Sequence, residues 1–168
     1  ISLGLVGSEM CIRDRNLKGR YPQLRLMLVP RHAERTNSIL GELGETGLRV
    51  VRRSRLEQEG QTDPDILLVD TTGELRDLYP AADVVFIGKT LTGTGGQNFL
   101  EAARHGRAIV AGPHMENFMP LRREFEEAKA IRVTGSADEL EQVVGELLAN
   151  SVERCLLYTS DAADEEDS

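Results

Sequence analysis

The stretch TGTGGQNFLE (92–101) places Gly93, Gly95 and Gly96 directly ahead of a helical pattern. Glycine lets backbone N–H groups come close to a ligand and lets the chain turn in ways closed to other residues. A helix starting near Gly96 would aim its free amides and the positive end of its dipole at one point. The chemistry this suits is anion binding, phosphate above all. The spacing fits neither GxxxxGK[ST] nor GxGxxG. Asn98 and Glu101, three residues apart, would share one helix face. A carboxylate there can accept two hydrogen bonds from a vicinal diol such as ribose. The other reading of the same residues is a loop that only turns the chain, with Glu101 solvated.

Three further clusters carry polar chemistry. In VPRH, Arg31 follows Pro30, and a guanidinium recognises phosphate or carboxylate through two parallel bonds. In DTTGEL, Gly73 stands where a strand would feed a short helix, with Thr71 or Thr72 available to cap it. In GPHMEN (112–117), His114 could meet a ligand or cap the loop, and His32 has the same two choices. Arg52, Arg53 and Arg55 form a basic run that reads as a solvated face. His32, His105 and His114 lack metal-ligand spacing, so no metal is expected. Cys11 and Cys155 lie towards the two ends. A thiol nucleophile or a disulfide framework is therefore not expected in the middle.

These clusters need elements to hold them. Apolar runs occur at 24–29, 48–51, 66–69, 83–87, 108–111 and 131–133. Four of them end at Pro30, Asp70, Gly88 and Gly112, where the polar clusters begin. Helical periods lie between the runs. Residues 33–46 place Ile39, Leu40 and Leu43 on one face. Phe118, Leu121, Phe125 and Ala128 are spaced 3, 4, 3. Leu140, Val143, Val144, Leu147 and Leu148 form an i, i+3, i+4 stripe, with Ser136 as N-cap and Glu139 three residues on. Near-continuous apolar strands suit a sheet buried on both faces. Alternation with helices makes it a parallel, doubly wound α/β sheet. Right-handed crossovers then bring the four polar loops to one edge, where such sheets bind ligands.

The chain has 168 residues and a net charge of −8. No apolar run reaches the ~20 residues needed to cross a bilayer, and the acidic balance argues against nucleic acid. Asp161, Asp164, Glu165, Glu166 and Asp167 concentrate the negative charge at the C-terminus. ISLGLVGSEMCIRDR (1–15) and CLLYTSDAADEEDS (155–168) share no period with the middle and resemble translated adaptor sequence. The expected organisation is a non-native or disordered segment at 1–15, one nucleotide-sugar-binding domain at 16–154, and a non-native acidic tail at 155–168.

LVPRHAER, LLVDTTGEL, DVVFIGKTL, GGQNFLEAA and GRAIVAGPHMENF occur in this order at compatible spacing, followed by the amphipathic helix. Together, over about residues 20–150, they resemble the C-terminal domain of the 3-deoxy-D-manno-octulosonic acid (Kdo) transferases. The resemblance implies a Rossmann-like C-terminal half of a GT-B glycosyltransferase. In that family Kdo passes from CMP-Kdo to lipid A precursor at the cytoplasmic face of the bacterial inner membrane. By resemblance, Pro30 and Arg31 match the nucleotide-contacting PR. Thr72, Gly73 and Glu74 match a second loop often written MGE, and Asn98 and Glu101 match the third. Gly95 and Gly96 would admit the CMP phosphate. The third loop departs from a common form, GGHNPLEP, in having Gln97, Phe99 and Ala102. The family's catalytic glutamate base, its main acceptor site and its membrane anchor belong to an N-terminal domain not found in this sequence. The resemblance thus implies no catalytic residue and no cofactor here, and a soluble piece that binds nucleotide without turnover. The alternatives are another GT-B donor domain using UDP- or GDP-sugar, or a non-catalytic nucleotide-binding module.

Overall fold

The computed structural model describes residues 2–5, 11–58, 60, 63–93 and 95–158. Seven strands form one sheet: β1 (Ser2–Leu5), β2 (Arg25–Leu28), β3 (Val50–Arg52), β4 (Ile66–Leu68), β5 (Val84–Ile87), β6 (Ala108–Ala111) and β7 (Ile131–Val133). Their order is β3-β4-β2-β1-β5-β6-β7, and every pairing is parallel. The helices are α1 (Cys11–Arg20), α2 (Thr36–Gly44), α3 (Leu75–Leu78), α4 (Leu100–Arg104), α5 (Met119–Glu127), α6 (Ala137–Ala149) and α7 (Ser151–Tyr158). This is the doubly wound α/β sheet that the alternating pattern required.

The apolar runs are continuous because both faces of the sheet are covered. Successive strand side chains point to opposite faces. Leu26, Leu28, Val84, Phe86, Ala108 and Val110 pack into one layer with Leu140, Val144 and Leu147 of α6. The residues between them, Met27, Val85, Ile87, Ile109 and Ala111, pack into the other with Phe99. In that second layer the rings of Phe99 and Phe125 meet edge to face at 5.0 Å. The α6 stripe starts where its cap predicts. Ser136 Oγ accepts from the Glu139 amide at 3.2 Å, and the Glu139 carboxylate accepts from the Gly135 amide at 2.6 Å.

The ends differ from expectation. Ser2–Leu5 is paired on both sides, with β2 and with β5. Without a strand there, two unpaired parallel edges would face each other across the middle of the sheet, an arrangement that leaves ladder groups unsatisfied. Helix α1 follows, and Leu17 near its end is buried. At the other end α7 runs through the expected boundary at 154, and Leu157 joins the core. Arg132 of β7 ties α7 down, meeting Glu153 at 2.6 Å and Glu146 of α6 at 3.5 Å. Arg154 Nη1 donates to the Leu147 and Leu148 carbonyls at 2.6 and 3.0 Å, satisfying acceptors that the end of α6 leaves open. Of the two end segments, residues 1, 6–10 and 159–168 lie outside the described residues. No helix among the described residues is long and apolar enough to cross a membrane.

Candidate functional site

Parallel strands send the loops after β2, β4, β5 and β6 to one edge of the sheet. β1 and β5 are neighbours, but the chain leaves β1 for β2 on one side and β5 for β6 on the other. That is the switch point at which open α/β sheets form a ligand crevice.

A mainly apolar pocket opens at this edge, lined among others by Val29, Leu75, Tyr79, Ile87, Gln97 and Asn98. Val29 directly precedes Pro30 and Arg31. Leu75 directly follows Thr72, Gly73 and Glu74. Of the predicted clusters, only Gln97 and Asn98 line the cavity themselves; the other two loops reach it through the residues next to them, Val29 and Leu75. Burial of the Tyr79 phenol, with the Glu101 charge adding to it, pushes its pKa up to about 12, so this wall is neutral at physiological pH. Tyr79 also stacks on His105 at 6.0 Å.

The individual residues are placed as follows. Pro30 is half-buried and Arg31 is exposed. The Arg31 side chain has no hydrogen-bond or ion-pair partner among the described residues, so its fork of donors is open to solvent. Thr72 and Gly73 are exposed. Glu74 is engaged: Arg53 Nη2 lies 3.3 Å from its carboxylate, which also accepts a short hydrogen bond from the Thr71 hydroxyl. Thr71 therefore braces Glu74 rather than capping α3, which has no side-chain cap. The basic run is likewise more than a solvated face. Arg52 donates to Asn37 Oδ1 at 2.8 Å, and Arg53 holds Glu74. Between these arginines and Arg55, Ser54 binds Asp70 through its amide and its hydroxyl at 2.9 and 2.6 Å.

The glycine loop needs a correction. The helix does not start near Gly96; α4 begins at Leu100 and is five residues long. Asn98 lies before it, and its Oδ1 accepts from the Leu100 amide at 3.0 Å. Asn98 and Glu101 therefore do not share a helix face. Asparagine competes with the helix for its own backbone, and here it stops the helix from extending back to Gly96. Both residues remain exposed beside the loop. Gly95 and Gly96 have φ of 90° and 66°, conformations that glycine alone adopts readily. Gln97 Nε2 is buried without a protein partner.

Two residues that sequence reasoning missed, Thr90 and Glu116, bind the fourth loop to the third. The first, Thr90, is fully buried. Its hydroxyl donates to the Ile87 carbonyl and accepts from the Gly112 amide at 2.7 Å, while its carbonyl accepts from the His114 amide at 2.9 Å. The second is Glu116, whose Oε2 accepts from the Gly95 amide at 2.7 Å and whose Oε1 lies 3.2 Å from His114 Nδ1. The Gly95 amide above all, with a lesser part from His114, holds the Glu116 carboxyl below the usual carboxylate range. The sequence offered no signal for this pairing, because the two loops lie 21 residues apart and meet only through adjacent strands.

Beside an apolar pocket, the loops at this edge thus carry an exposed guanidinium at Arg31, an exposed carboxylate at Glu101 and a glycine amide at Gly95 that Glu116 occupies. That set can hold an aromatic, sugar-bearing anion.

No protein-family model matches the chain. It is 36% identical over 140 residues to the 3-deoxy-D-manno-octulosonic acid transferase of Haemophilus influenzae, covering 83% of this chain and 32% of that protein. It is 38% identical over 103 residues to the enzyme of the same name from Bordetella pertussis, covering 61% of this chain and 24% of that one. The chain therefore spans a third or less of the length of these curated relatives. Among solved structures, the C-terminal CMP-Kdo binding domain of WaaA from Acinetobacter baumannii superposes with a TM-score of 0.78 at 25% identity, over 94% of this chain and 86% of that one. The trehalose-6-phosphate synthase OtsA, at 13% identity and a TM-score of 0.61, shares the fold.

Proposed function

We propose, for a chain that belongs to the Kdo transferase family and has the fold of its C-terminal CMP-Kdo binding domain, that it binds the CMP half of CMP-Kdo as the donor side of a glycosyltransferase. The observation that supports this is an apolar pocket near the switch point of the sheet, lined by Gln97 and Asn98 of the GGQN loop and by Val29 and Leu75, the residues next to Pro30 and Glu74. In this reading Arg31, beside Pro30, takes a phosphate oxygen. Thr72, Gly73 and Glu74 form the second wall, with Glu74 held in place by Arg53. Gly95 and Gly96 give the phosphate backbone amides, and Glu101 takes the ribose hydroxyls next to Asn98. The nucleotide-contacting loops of this reading all lie within residues 16–154, while β1 completes the centre of the sheet and α7 packs onto its core.

The parent enzyme, in the same reading, transfers Kdo to lipid A precursor at the cytoplasmic face of the inner membrane. A general base must come within hydrogen-bonding reach of the acceptor hydroxyl, and it is supplied by an N-terminal domain. The chain alone binds nucleotide and does not turn over.

Titration calorimetry with CMP, UMP and AMP tests this. CMP is expected to bind best, and Arg31→Ala and Glu101→Ala should each weaken it by roughly 1.5–3 kcal/mol, the size of a charge-assisted contact. A preference for UMP would point to a UDP-sugar donor instead. Affinity unchanged by both substitutions would take these residues out of the site.

A further inference from the structure

The Glu116 carboxylate sits on the Gly95 amide at 2.7 Å, and a backbone amide in a glycine loop is the kind of donor a phosphate oxygen seeks. The fit is close. Gly95 has φ of 90°, and a Cβ there would lie 2.7 Å from Asn117 Nδ2. The Asn117 amide points back at the Gly95 carbonyl at 3.4 Å. Residues 116–117 therefore lie directly on the loop. The Glu116 side chain is nonetheless 54% exposed, so it can rotate away without uncovering the core.

We propose that Glu116 is an internal anion that occupies the Gly95 amide in the free protein, so that a phosphate-bearing ligand must displace it to reach that amide. The inference rests on the nucleotide reading above for the identity of the ligand, and on the geometry alone for the occupied amide. One N–H cannot serve two anions, and a carboxylate left within a few ångströms of a phosphate repels it. Glu116 therefore sets how tightly the site holds the phosphate while leaving the base and ribose untouched. Its neighbour His114 keeps the carboxylate in place from the other side at 3.2 Å.

The test compares Glu116→Gln with the unaltered chain, using CMP and cytidine as probes. Gln keeps the size and removes the charge. CMP should tighten about fivefold, equivalent to ~1 kcal/mol, while cytidine changes less than about twofold. Weaker or unchanged CMP binding in the variant would mean that Glu116 only fastens the loops, and overturns the proposal. Should the unaltered chain bind no CMP, the nucleotide reading fails, and inorganic phosphate becomes the probe. The Gly95 amide resonance should then move further on phosphate addition in E116Q than in the unaltered chain. An equal response in both proteins, or none in either, overturns the proposal on its own terms.

Discussion

Replacing Gly112 by alanine should be among the most damaging single-methyl changes in this chain. A Cβ at Gly112 would lie 2.2 Å from the Thr90 carbonyl oxygen and 2.6 Å from the Leu91 amide nitrogen. An ordinary contact needs about 3.5 Å, so one backbone must retreat by over an ångström. Neither can do so freely. The Gly112 amide is bound to the Thr90 hydroxyl at 2.7 Å, and the Thr90 carbonyl holds the His114 amide at 2.9 Å. Gly112 also continues directly from β6, which is fully buried. Separation breaks both bonds in a buried setting, at about 1–3 kcal/mol each, so a loss of roughly 3–5 kcal/mol is expected. Urea unfolding followed by circular dichroism measures it. Gly41→Ala is the control: it lies in α2 with nothing within 4 Å of the added methyl. There alanine should stabilise by about 0.5–1 kcal/mol. A G112A protein within ~1 kcal/mol of the unaltered chain would refute the claim that Thr90 and Gly112 lock the third loop to the fourth.

Three further outcomes are expected. Tyr79 has its pKa raised to about 12, so its contribution to stability is complete below about pH 10, where the unfolded tyrosine begins to ionise, and is lost as pH rises towards 12. Tyr79→Phe should flatten the decline in unfolding free energy over that window by about 2–3 kcal/mol, and an unchanged slope would contradict the burial. Asp65 is held below its ordinary value first by Lys18, 2.8 Å away, and then by the Arg49 amide. Its contribution is present above about pH 4 and lost as pH falls through the lowered folded value, so Asp65→Asn should destabilise at pH 7 by about 1 kcal/mol and progressively less in acid. Ser136→Ala removes the cap of α6 and should cost about 1 kcal/mol in the same denaturation assay.

The legible parts of the fold were those with strong local signals. The runs at 66–69, 83–87 and 108–111 could only be strands buried on both faces, and the Leu140–Leu148 stripe with its Ser136 cap fixed α6 nearly to the residue. Less legible were elements decided by neighbours. The region 33–46 splits into a 3-10 turn at Ala33–Arg35 and α2 at Thr36–Gly44. The stretch 96–101 looked like a helix start because glycine and Asn98 are ambiguous in sequence, and the Asn98 side chain resolved it by binding Leu100. Ser2–Leu5 shows no period in the sequence because a strand of four residues is too short for one, and the end of α7 continues past the expected boundary at 154. For the site, the residue types at Arg31, Glu101 and the glycines named the loops. Arg53, Thr90 and Glu116, which position those loops, act across strands and left no local pattern.

The alternation of the strands between two layers sorts the chain's substitutions by parity. Met27, Val85 and Ile87 belong to the layer that borders the pocket, whereas Leu26, Leu28, Val84 and Val110 belong to the layer on the far side, from which only Phe86 among the described residues reaches the pocket. Except at Phe86, a lineage can thus repack one side of a strand for durability while leaving the ligand's surroundings untouched, and retune the ligand's surroundings from the very next residue. Neighbouring letters in this sequence are therefore free to drift under different demands.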